Sequence, residues 1–120
     1  MDFRWMIRAG LLVVLAGRPG TGKTTLGRGL AAELRAAYVR IDAIEAAVVR
    51  CGLADHPVGP VGYVLAHELV AATLAIGTSV VIDAVNPVPE ARAGWRPIAD
   101  GARLVVLETT LSDPKNTADG

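Results

Sequence analysis

One cysteine, Cys51, in 120 residues has no partner within the chain, so a disulfide framework is excluded and a reducing compartment, the cytoplasm, is the expected setting. Near the end of a predicted helix, Cys51 is expected to act as a small core residue. Aromatic residues are scarce as well. Trp5, Tyr38, Tyr63 and Trp95 are too few and too scattered to build a base-stacking platform. Net charge is zero, twelve basic residues against twelve acidic, which excludes attraction to a nucleic-acid backbone as the chain's main business. The two histidines, His56 and His67, lie eleven residues apart without supporting ligands and do not suggest a metal site. No apolar run is long enough to span a bilayer, and the charges scattered through residues 1–8 are unlike a secretory signal. What remains is a chain 52% hydrophobic, long enough for one domain with a buried core.

The scarcest charged residue is lysine. Ten of the twelve basic residues are arginine, and up to residue 114 the sole lysine is Lys23. It stands in Gly17-Arg18-Pro19-Gly20-Thr21-Gly22-Lys23-Thr24, a glycine, four residues, then Gly-Lys-Thr. This is a complete phosphate-binding loop in its required context, with the apolar run 11–16 before it and a helix-forming run after it. The glycines let backbone N–H groups turn toward phosphate oxygens at the positive end of the helix. Gly17, Arg18, Gly20, Thr21, Gly22, Lys23, Thr24 and Thr25 are the expected nucleotide-binding residues. Lys23 would reach the β- and γ-phosphates of ATP, and the Thr24 hydroxyl would hold Mg²⁺.

Along the chain, strands and helices alternate. Strands are expected at 11–16, 38–41, 78–82 and 103–108. Helices are expected at 23–37, 43–51, 61–76 and 89–100, the last kinked or ended early by Pro97. In the third helix, Val61, Val64, Leu65, Leu69 and Thr73 fall near one face. The fold class is therefore α/β, a three-layer sandwich around a mostly parallel sheet. Residues 1–113 read as one nucleotide-binding domain, with a poorly ordered start before Leu11, and residues 114–120 as a polar, disordered tail.

Ligands of such sheets lie beyond the carboxyl ends of the strands, where the loop, Asp42 and Asp83 all fall. Asp83 follows Val80-Val81-Ile82 and is the candidate for the metal; otherwise it forms a turn with Asn86-Pro87. Asp42 is either the group that takes a proton from an attacking hydroxyl or the N-cap of the helix from Ala43, and both could hold. Ala84 stands where a hydrolytic ATPase carries a glutamate after its aspartate. The 115–119 segment does not match a guanine reader, and Thr25 stands where a dinucleotide fold needs a third glycine. A small kinase remains.

Gly17 to Thr25, Arg40-Ile41-Asp42-Ala43-Ile44, Val81-Ile82-Asp83-Ala84-Val85-Asn86, and Arg92 with Trp95 resemble the zeta-toxin, chloramphenicol phosphotransferase and adenylylsulfate kinase-like group of P-loop kinases, often labelled AAA-type ATP-binding proteins. The resemblance spans about residues 7 to 113. It implies strand order 2-3-1-4 and transfer of the ATP γ-phosphate to a hydroxyl of a small-molecule acceptor. It further implies catalytic roles for Lys23, Asp42 and Asp83, with Asp42 and Arg92 on the acceptor side and Thr24 and Asp83 at the metal. Such kinases continue past the fourth strand with an arginine-bearing lid and a fifth strand, whereas Ser112-Asp113 here is followed by seven residues without arginine. The alternatives are thus a catalytically impaired nucleotide-binding module lacking the lid, or a relative of polynucleotide 5′-hydroxyl kinases. The latter is disfavoured by the lack of a basic path. The fourth strand is expected to leave an exposed edge that invites self-association.

Overall fold

A computed structural model describes residues 10–18, 22–55, 59–84, 88–99 and 101–109. The elements are β1 (Leu11–Gly17), α1 (Lys23–Leu34), β2 (Ala37–Arg40), α2 (Ile41–Arg50), α3 (Val61–Ala75), β3 (Val80–Asp83), α4 (Val88–Trp95) and β4 (Arg103–Thr109). The strands form one parallel sheet in the order β2-β3-β1-β4, as expected. The expected extension, tail and Asn86-Pro87 turn lie outside the described residues.

The sheet's two faces carry different helices because its strands alternate. Leu12, Val14 and Ala16 of β1 with Val80 and Ile82 of β3 form one core, reached by Ile41 of α2, Ala66, Val70 and Leu74 of α3, and Ala91 and Trp95 of α4. On the opposite face Val13, Leu15 and Val81 meet Ala31 of α1, with Leu30 and Tyr38 at the margin. Leu12 to Ala16 are almost wholly buried, as a central strand covered on both sides must be.

Several boundaries and faces differ from the sequence expectation. Helix α1 stops at Leu34, three residues early, because Arg35 adopts a left-handed conformation (φ 51°) and its N–H closes onto the Ala31 and Ala32 carbonyls. Ile41 and Asp42 belong to α2, so β2 ends at Arg40, which caps that helix through its backbone alone. Asp42 is thus the second residue of α2 and not its N-cap. Cys51, placed just past the end of α2, is exposed rather than a core residue.

The buried stripe of α3 is Gly62, Ala66, Val70 and Leu74, while Val64, Leu65 and Leu69 face outward. The helix is apolar nearly all round, so its small residues let the backbone approach its neighbours. Gly62 is one such point: a β-carbon there would lie 2.7 Å from Glu45 Cγ of α2. Helix α4 ends at Trp95, two residues before Pro97, as the missing N–H and ring clash of proline dictate.

His67 of α3 meets Trp95 edge-on at 4.5 Å between ring centroids, with Tyr63 one turn earlier on α3 also edge-on. Burial lowers the His67 pKa from its ordinary 6.5, and the nearby Glu68 carboxylate only partly offsets this. The unfolded chain therefore binds the His67 proton more readily than the folded one. Stability is full above pH 6.5 and falls as pH drops from there toward the lowered folded value. We predict that thermal melts at about pH 7.5 and about pH 5.5 will differ less for His67→Phe, which keeps the ring contact, than for the natural chain.

Candidate functional site

The site begins where β1 runs out. Gly17 has φ 127°, and a β-carbon on it would sit 2.5 Å from the Thr109 carbonyl oxygen of β4, so this turn out of the sheet admits only glycine. Gly22 caps α1, and Leu26 N–H makes the first helical bond to its carbonyl at 3.0 Å. Lys23 and Thr24 are therefore the first two helical residues, at the positive end of the helix. Pro19, Gly20 and Thr21 lie outside the described residues.

Lys23 is buried, and its ammonium spends all three N–H groups. It donates to the Gly17 carbonyl at 2.8 Å and the Ala84 carbonyl at 2.8 Å, and it pairs with Asp83 Oδ1 at 2.9 Å. An ammonium this far from water is tolerable only when every donor is met and a counter-charge is present. Strand alternation supplies the counter-charge. Val81 points to the α1 face, so Asp83, two residues on, points there too.

The second Asp83 oxygen accepts a hydrogen bond from the Tyr38 phenol at 3.0 Å. The Tyr38 pKa is raised, first by burial and then by the Asp83 hydrogen bond and charge, against the lowering effects of Thr24 and Arg40. The phenol thus keeps its proton and donates it to Asp83. Room for the ring comes from α1. A β-carbon at Gly27 would fall 2.5 Å from Tyr38 Cε1. Sequence reasoning missed Tyr38; the available signal was Gly27, a glycine inside a helix that marks a close approach.

The structure thus brings together Lys23, Thr24, Asp83 and the Gly17 carbonyl. Asp83 takes Lys23 and Tyr38 as its partners, whereas Arg18 and Thr25 are exposed beside the site. Asp42 is exposed in the first turn of α2 and pairs with Arg40 at 3.2 Å. Arg40 is in register with Asp83, so Asp42 follows two residues beyond the same end of the sheet. Arg40 Nε is buried, without an acceptor among the described residues. Arg92 is exposed in the last turn of α4, and among the described residues it is not joined to the Lys23 group.

Residues 12–116 match the family described as an AAA domain. The chain belongs to that family. The fold of this AAA-domain chain is similar to that of a "putative kinase" from Chloroflexus aurantiacus, at 22% identity with a TM-score of 0.71, covering 86% of this chain and 60% of that one. It is also similar to a sugar kinase from Janibacter, at 21% identity with a TM-score of 0.58, covering 92% of this chain and 65% of that one. The AAA-domain chain therefore spans less than two thirds of the length of either protein. No curated protein matches it. The resemblance to P-loop kinases read from the motifs, and their strand order, both hold.

Asp83→Leu is expected to cost about 3 kcal/mol or more in urea unfolding, because it leaves the ammonium buried without a counter-charge. Adding Lys23→Met to Asp83→Leu should recover most of that loss, a coupling that a double-mutant cycle measures.

Proposed function

We propose that this chain binds ATP at the Gly17–Thr24 loop and transfers the γ-phosphate to a hydroxyl of a small-molecule acceptor. The observation that carries the reading is the meeting of Lys23, Thr24 and Asp83 at the carboxyl end of the sheet. Family membership and the two kinase neighbours support it. Lys23 reaches phosphate by exchanging at least one of its three present bonds, and its charge then offsets the negative charge of the transferring group. The donor set suits Mg²⁺. Thr24 and Asp83 offer hard oxygens, and among the described residues no group of three His, Cys, Asp or Glu side chains could hold a metal unaided. Magnesium characteristically takes one or two carboxylates and completes its shell with water and substrate phosphates. When bound, it supplies neutralising charge at the β- and γ-phosphates.

Asp42 is assigned as the base. The acceptor oxygen forms its bond to the γ-phosphorus, the bond from phosphorus to the β–γ bridging oxygen breaks, and ADP leaves with that electron pair. The hydroxyl proton passes to the Asp42 carboxylate. Arg92 is assigned to the acceptor side with Asp42. A cytoplasmic setting suits a chain that draws on ATP and carries a lone thiol. No helix of the described residues is long and apolar enough to cross a membrane. Strand β4 lies at the edge of the sheet, and we assign self-association to that edge.

Calorimetry of ATP binding with Mg²⁺ tests the shared core of this reading. The natural chain should bind, and Lys23→Ala should lose about tenfold or more in affinity. Binding that is absent, or indifferent to Lys23→Ala, overturns it. Turnover against a panel of hydroxyl-bearing metabolites tests the transfer. Asp42→Asn should lower kcat by about a hundredfold or more while leaving ATP affinity within about twofold. Binding without turnover on any acceptor favours a nucleotide-binding module instead.

A further inference from the structure

Asp83 is anchored twice, and the two anchors have different fates when phosphate arrives. Lys23 holds Oδ1 and must give up a bond to engage a phosphate, whereas the Tyr38 phenol holds Oδ2 and has no such call on it. Thr24, in the first turn of α1, is a side-chain neighbour that lowers the pKa of the same phenol, so this hydroxyl stands between the end of β3 and the start of α1. Tyr38 stands on β2 opposite Val81, two residues before the register position of Asp83, and its long side chain spans that diagonal. Gly27 keeps the ring seated against α1. Three elements, β2, β3 and α1, thus meet around one phenol. Two of the side chains beside it, Asp83 and Thr24, are the pair assigned above to magnesium.

We propose that Tyr38 is the positioning residue that keeps Asp83 in place, beside the start of α1, when Lys23 transfers from Asp83 to a phosphate. A carboxylate at a strand end, once released by Lys23, would swing to other donors or to water. With Oδ2 fixed by Tyr38, Oδ1 is the atom presented when the lysine leaves. Tyr38 touches neither acceptor nor phosphate in this account and acts through Asp83. The inference rests on the nucleotide reading of the loop.

The test separates nucleotide affinity from its magnesium dependence. ATP binding is measured by calorimetry in chelator and in Mg²⁺ for the natural chain, Tyr38→Phe and Gly27→Ala. Tyr38→Phe keeps the ring and removes only the hydroxyl, while Gly27→Ala keeps the hydroxyl and unseats the ring without weakening α1 as a helix. Affinity in chelator is expected within about twofold of the natural chain for both variants. The gain on adding Mg²⁺ is expected to fall by about tenfold in both, the worth of a hydrogen bond to a charged group. An unchanged gain in Tyr38→Phe overturns the assignment of Tyr38 while leaving the nucleotide reading intact. An equal loss in chelator and in Mg²⁺ also overturns it, since that marks a general structural role. A natural chain that does not bind ATP overturns the nucleotide reading itself, and with it this inference.

Discussion

A single buried ammonium organises one end of this molecule. Lys23 opens α1 with its three donors spent on the Gly17 carbonyl, the Ala84 carbonyl and Asp83. Each acceptor comes from the end of a strand, two of them from the end of β3 and one from the end of β1. The neighbouring strands β1 and β3 pair in parallel from Leu12 with Val80 to Leu15 with Asp83, which brings those ends level. If the register slipped by one residue, Asp83 would turn to the opposite face and leave the ammonium uncompensated. The ion pair and the sheet register therefore specify each other. The requirement for glycine at 17 belongs to the same constraint, because the turn must fold the chain back beside Thr109 before the helix begins.

The same bonds give the site its chemical character. A lysine held by neutral carbonyls and one carboxylate is preorganised near the loop, and its bonds are ones a phosphate oxygen can replace in kind. Exchange of this sort demands little rearrangement of the backbone, since only side-chain partners change. It does demand that Asp83 stay in place after the exchange. Tyr38, seated in the notch at Gly27, is the side chain built to do that. The proposed acceptor side is less closely joined. Asp42 and Arg40 pair with each other in a more exposed setting, and the buried Arg40 Nε retains a donor for which the described residues offer no acceptor.

Much of this arrangement was legible in the residues. The loop, its strand and its helix announce themselves because phosphate recognition by backbone N–H groups requires glycines at fixed spacing. The continuous apolar strands declare a parallel sheet covered on both faces. Asp83 was placed correctly at a strand end, because an apolar run ending in a carboxylate has few other readings beside such a loop. The buried face of α3 was not legible. Where Val64, Leu65 and Leu69 compete with Gly62, Ala66 and Val70, apolarity does not choose a face, and closeness of approach favours the smaller side chains. Cys51 was misplaced because its exposure depends on where α2 stops, and boundaries are set by backbone closure more than by composition. Tyr38 escaped notice because its role depends on the register between β2 and β3, which no local pattern encodes.

The central claim is that the Lys23–Asp83 pair is exchanged, not retained, when a nucleotide occupies the loop. A crystal structure of the full chain with a non-hydrolysable ATP analogue and Mg²⁺ tests it directly. The account predicts the Lys23 ammonium on a phosphate oxygen, with Asp83 released by Lys23 and still bonded to the Tyr38 phenol. An analogue bound at the loop with Lys23 still on Asp83, or bound elsewhere on the molecule, would contradict it.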